Sequence, residues 1–131
     1  MIYVDANIVI RLIEGDPAAR APIETRLNPL RGTGRFLATS RLTRLECRVR
    51  PLRSNDSKLL EVYEQFFAAP EVQLLDLTAD VLEKATEIRA NLNLKTPDAL
   101  HLASAILADA SPFLTGNKQL ARCAEIPVEV L

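Results

Sequence analysis

Apolar positions along the chain follow two alternating rhythms. Short runs read as strands: Ile2-Tyr3-Val4, Phe36-Leu37-Ala38-Thr39, Val72 to Leu77, Phe113-Leu114-Thr115 and Val128-Glu129-Val130. Between them the apolar residues recur at helical spacing. Asn7 to Ile13 predicts a helix, broken at Gly15-Asp16-Pro17, and Pro17 opens a second one expected to reach about Leu30. After the turn Arg31-Gly32-Thr33-Gly34, Ser40 is placed to cap a helix that Pro51 should end. Asn55 or Asp56 caps the next, which sends Leu59, Leu60, Tyr63, Phe66 and Phe67 inward until Pro70 closes it. Thr78 caps a helix carrying Val81, Leu82, Ala85, Ile88 and Leu92, and Thr96-Pro97 opens another to about Ala108. Lys118 to Cys123 predicts a short helix before the last strand.

Strands separated by helices pair in parallel, because a parallel connection needs a crossover. The expected fold is therefore α/β: a three-layer sandwich whose central, mostly parallel sheet of four to five strands is flanked by helices. In such sheets ligands bind at the carboxyl ends of the strands. The residues that follow each strand are the place to look for chemistry.

Composition narrows the class. The chain has 131 residues, enough for a single domain over residues 1–131 and too few for two. Hydrophobic residues at 48% and charged residues at 25% are the balance of a globular protein rather than a disordered one. A net charge of −1 argues against a uniformly basic nucleic-acid surface, but leaves room for a local basic stripe and for acids offset by a metal. Cys47 and Cys123 stand in no zinc-ligand spacing. No apolar run approaches the roughly 18 residues of a membrane span, and no secretory leader opens the chain, so the expectation is a cytoplasmic protein with no membrane partner.

Three acids and one amide sit where the fold puts its ligands. Asp5 follows the first strand, Glu46 lies two turns into the helix that Ser40 starts, Asp98 is in the first turn of the helix opened by Pro97, and Asn117 follows the fourth strand. On the helix of Glu46, Leu42, Leu45 and Val49 define an apolar face, with Glu46 at its border and Arg41, Arg44 and Arg48 on a separate outward stripe. That stripe suits phosphate contacts and a plain solvated face equally well. Asp98 alone suits a helix N-terminus. Asp5 is harder to explain so, because an acid between an apolar strand and an apolar helix is costly to bury without a cation nearby. Carboxylates without Cys or His partners suit Mg²⁺ or Mn²⁺, which take oxygen ligands. His101, the single histidine, reads as a structural hydrogen bond or packing group in preference to a general base.

These stretches together resemble the PIN-domain nucleases, and within them the VapC-type toxins of toxin–antitoxin pairs. The resemblance spans essentially the whole chain. It is carried by Ile2-Tyr3-Val4-Asp5-Ala6-Asn7, by Thr39-Ser40 with Leu42-Thr43-Arg44-Leu45-Glu46, by Lys95-Thr96-Pro97-Asp98-Ala99-Leu100-His101-Leu102-Ala103, and by Phe113-Leu114-Thr115-Gly116-Asn117. It implies a PIN-like sandwich that hydrolyses RNA with Mg²⁺ or Mn²⁺. It carries metal roles onto Asp5, Asp98 and Glu46, with Asn117 completing the catalytic set. Thr115, Asn7, Ser40, Arg41, Arg44 and Arg48 are the expected substrate contacts. A homodimer and a cognate antitoxin reaching into the acidic groove are the implied partners. The family usually carries a further acid where this chain has Asn117, an amide that brings no charge. That departure keeps a second reading open: a weakened PIN fold that binds RNA or protein. A haloacid dehalogenase-type phosphatase is a weaker rival, since it wants an acid where Asn7 stands.

Overall fold

The computed structural model describes residues 1–131. Five strands form one sheet: β1 (Ile2–Val4), β2 (Leu37–Ser40), β3 (Val72–Leu75), β4 (Phe113–Thr115) and β5 (Val128–Val130). Their order is β3-β2-β1-β4-β5, with every neighbouring pair parallel. Six helices connect them: α1 (Ala6–Glu14), α2 (Pro17–Leu27), α3 (Arg41–Arg53), α4 (Ser57–Ala68), α5 (Ala79–Leu92) and α6 (Thr96–Leu107). No helix is long and apolar enough to cross a membrane.

The strands alternate, and that alternation builds two cores. Tyr3, Ala38 and Phe113 face one side, where α5 and α6 supply Val81, Ala85, Ile88 and Leu102. Ile2, Val4, Leu37 and Leu114 face the other, against Ile8, Val9, Ile23, Cys47, Tyr63 and Phe67 from α1 to α4. A sheet with both faces covered needs apolar residues on both sides of each strand, which is why these strands read as unbroken apolar runs. The expected three-layer sandwich is thus the architecture found.

Ser40, Asp56 and Thr78 cap α3, α4 and α5 as expected, each accepting a backbone N–H of the first turn that would otherwise lack a partner. Asp5 and Asp16, which were not expected as caps, do the same for α1 and α2. Asp56 rather than Asn55 caps α4, while Asn55 takes a left-handed conformation (φ 53°) just before it.

Several boundaries differ from expectation. Pro51 does not end α3. It is buried inside the helix, which runs on to Arg53 and loses only the one N–H that proline lacks. The second helix stops at Leu27 and tightens into a 3₁₀ turn, Asn28–Leu30. The segment Lys118–Arg122 is also 3₁₀. The apolar face assigned to α3 points the wrong way. Thr43, Cys47 and Pro51 are buried, whereas Leu45 and Val49 are 58% and 42% exposed. On α5, Leu82 likewise stays in solvent while Val81, Ala85 and Ile88 pack inward. Periodicity identifies a stripe but does not say which neighbour covers it.

Candidate active site

β1, β2 and β4 all end at the same edge of the sheet, and each hands the chain to a group with a charge or a hydrogen bond. An open cleft of about 420 Å³ lies there, lined by Asp5, Ala6, Asn7, Glu46, Asp98, His101, Gly116 and Asn117. The three acids singled out in the sequence are therefore gathered at one place, together with Asn7 and Asn117.

Asp5 is buried and fully engaged. Its Oδ1 accepts the Ile8 N–H at 3.1 Å, which caps α1, and its Oδ2 accepts the Thr115 hydroxyl at 2.6 Å. Burial pushes its carboxyl above the ordinary range. The Thr115 and Ile8 hydrogen bonds oppose that shift, and the charge of Asp98 adds to it. Asp98 stands in the first turn of α6, where it caps nothing; that helix has no side-chain cap. Its carboxyl is also pushed up, first by burial and then by Glu46. Two acids held above their usual range by burial and by like charges are an electrostatic deficit that a cation would cancel.

Asn117 braces this arrangement. Its Nδ2 donates to Asp98 Oδ2 at 3.3 Å, while its Oδ1 accepts the Gln119 N–H at 3.0 Å. The amide oxygen is thus spent on starting the 3₁₀ segment, and the face shown to Asp98 is the donor. Its own backbone N–H donates to Thr115 Oγ1 at 3.0 Å. Thr115 is fully buried, so its hydroxyl holds Asp5 in place instead of meeting substrate as expected. Ser40 is corrected in the same way: it is fully buried and accepts the Leu42 N–H as the cap of α3. Asn7 is exposed at the mouth of the cleft, where a substrate contact was expected.

The arginine stripe is largely committed within the molecule. Arg41 pairs with Asp76 and Arg44 with Glu64, both in solvent. None of Arg41, Arg44 and Arg48 lines the cleft. The paired, solvated face describes them better than a preformed phosphate track.

His101 is the structural hydrogen-bonding group expected of it and bridges Tyr3 and Glu46: Nδ1 lies 2.8 Å from Tyr3 Oη and Nε2 2.7 Å from Glu46 Oε1. Two further participants carried little signal in the sequence. Tyr3 looked like one more apolar residue of the first strand; a phenol on a wholly buried strand was the available hint. At Gly116 the backbone passes close to Asn7: an added Cβ would lie 2.6 Å from Oδ1 at the end of that exposed side chain, which would have to swing aside. Cys47 is no nucleophile. Burial first, and then neighbouring acids, push its thiol up to about 12.

As the side chains stand, no three of the His, Cys, Asp and Glu groups form a ligand cluster. The donor chemistry still fits a hard divalent ion. Mg²⁺ is held by about one or two protein carboxylates, with water and substrate oxygens completing its shell. Asp5 and Asp98, which both line the cleft, would be that pair.

A parallel α/β sandwich with acids drawn to the carboxyl edge of its central strands defines the class of fold and site. Within that class the chain belongs to the PIN-domain family, whose model matches residues 2–126. Several solved structures share the fold. A toxin–antitoxin complex from Klebsiella pneumoniae is 23% identical with a TM-score of 0.75, covering 96% of this chain and 95% of that one. DNA-bound VapBC from Salmonella typhimurium is 20% identical with a TM-score of 0.77, covering 99% and 98%. VapC20 from Mycobacterium tuberculosis, described as a sarcin–ricin-loop-cleaving toxin, is 16% identical with a TM-score of 0.75, covering 95% of each chain. Among curated proteins no sequence matches.

Proposed function

We propose that this chain is a metal-dependent endoribonuclease that hydrolyses RNA phosphodiester bonds, and that it is the toxin of a VapBC-type pair. The observation that carries the reading is the meeting of Asp5, Glu46 and Asp98 in one cleft at the carboxyl edge of the sheet. Asp5 and Asp98 would hold Mg²⁺ or Mn²⁺ with Glu46 beside them; such an ion, when bound, acidifies water and offsets charge on the phosphate oxygens.

The chain's own groups set up the rest. Thr115 and the start of α1 fix both oxygens of Asp5, and Asn117 fixes one oxygen of Asp98. Glu46 keeps Oε2 free of protein hydrogen bonds, as a place for a proton from attacking water. Asn7, exposed at the rim, offers an amide to the substrate backbone. The proposed partners are RNA, a cognate antitoxin and a second copy of this chain, in the cytoplasm. The toxin–antitoxin complexes that share the fold support the antitoxin.

Asn117 favours one alternative, a weakened PIN fold that binds RNA without cutting it, because a neutral amide donor stands against Asp98. Purified protein incubated with a structured RNA and Mg²⁺ or Mn²⁺ decides between them. The nuclease reading expects cleavage that EDTA stops and that Asp5→Asn abolishes. RNA retained on the protein but intact in both metals supports the alternative.

A further inference from the structure

We propose that Tyr3 and His101 form a buried brace that positions Glu46 in the cleft, with His101 as a positioning residue for the acidic site. The proposal rests on the nuclease reading of the cleft and deepens it. It begins from an unusual line of contacts: phenol, imidazole and carboxylate in series, at 2.8 Å and 2.7 Å. Each member comes from a different element, β1, α6 and α3. Those are the elements that present the three acids: Asp5 follows Tyr3 by two residues on leaving β1, Asp98 lies one turn before His101 on α6, and Glu46 is itself the end of the line.

The line is rigid at its inner end. Tyr3 is fully buried, and its ring stacks on Phe113 with centroids 5.0 Å apart. His101 is buried and meets the Tyr3 ring edge-on. A phenol donating to Nδ1 leaves the ring proton on Nε2, which then donates to Glu46 Oε1. One tautomer is selected by a group that solvent does not reach.

The consequence for Glu46 is a division of labour between its oxygens. Oε1 is held from behind by the imidazole and Oε2 carries no protein bond. A glutamate has three side-chain torsions to fix, and on a half-exposed helix face it would otherwise sample several rotamers. Outer groups that orient carboxylates and imidazoles at metal sites change affinity or activity by about 10–100-fold when removed. Space-filling alone does not require the Nε2–Glu46 bond, and this separates the brace from ordinary core packing.

The test uses that distinction. A glutamine amide nitrogen sits as many bonds from Cα as His Nε2 does and likewise donates, while an asparagine amide oxygen sits as many as His Nδ1 and likewise accepts. His101→Gln therefore keeps the donor to Glu46, whereas His101→Asn keeps only the partner of Tyr3. Mn²⁺ affinity measured by titration calorimetry on the whole chain, and kcat on a synthetic RNA hairpin, should survive His101→Gln to within about threefold. Both should fall at least tenfold in His101→Asn. Tyr3→Phe, which retains the stack on Phe113, should fall between them and guards against misfolding of the asparagine variant. The brace is overturned if His101→Asn and Tyr3→Phe bind Mn²⁺ like the wild type, or if His101→Gln loses as much as His101→Asn. Wild-type protein that binds Mn²⁺ but leaves RNA intact would remove the nuclease reading alone, while Mn²⁺ affinities still decide the brace.

Discussion

At the scale of single residues the cleft is an arrangement of acids that the fold holds at a cost. Asp5 and Asp98 titrate above the ordinary carboxylate range, mainly through burial. The folded state therefore prefers their protonated forms. Their contribution to stability is fully present below the unfolded value of about 4 and is lost as pH rises through the raised folded values. Asp5→Asn keeps a competent cap for α1 and removes the buried charge. Without divalent ions, its melting temperature should exceed that of the wild type by a margin that widens from acidic toward neutral pH. A margin that stays flat across that range would place the strain elsewhere. Asn117→Asp replaces a donor facing Asp98 with a fourth negative charge in the cleft. It should lower the melting temperature in EDTA and raise Mn²⁺ affinity several-fold; an unchanged calorimetric Kd would mean that position 117 does not reach the ion. Asp98→Asn should abolish RNA cleavage, read on a gel, with the circular dichroism of the wild type, because it removes charge and no core packing.

At the scale of elements, sequence and structure agree where chemistry is local and diverge where it is not. Capping by Ser40 and Thr78, and the strand that leads into Asp5, follow from residues within one turn of each other. The border position of Glu46 was legible too, although from the wrong face. Leu42, Leu45 and Val49 form a stripe of helical period, yet α3 buries Thr43 and Cys47 against its neighbours. Thr43 is affordable inside because Thr39 bonds it at 2.8 Å, a partner that periodicity does not reveal. The bridge from Tyr3 to His101 joins residues 98 apart in sequence, and Asn117 meets Asp98 only once β4 is placed beside β1. Truncation checks the orientation of α3. Leu45→Ala should shift stability by less than about 0.5 kcal/mol in denaturant melts, as exposed positions do. Phe67→Ala on α4, whose ring is buried, should cost about 3–5 kcal/mol. Equal losses would return Leu45 to the core.

At the scale of the whole molecule, the parallel order β3-β2-β1-β4-β5 explains why acids so far apart in the chain share one edge. β1 is the middle strand, so Asp5 has a strand end on either side, and α3 and α6 carry Glu46 and Asp98 to it from opposite layers of the sandwich. A ligand that binds only this assembled edge stabilises the fold as a unit. The measurement that tests the account most directly is an anomalous difference map from a crystal of this chain soaked in Mn²⁺. The account predicts a peak in contact with the carboxylates of Asp5 and Asp98 and beside Glu46. Saturating Mn²⁺ that leaves that cleft without a peak, or appears only at other acids of the surface, would contradict it.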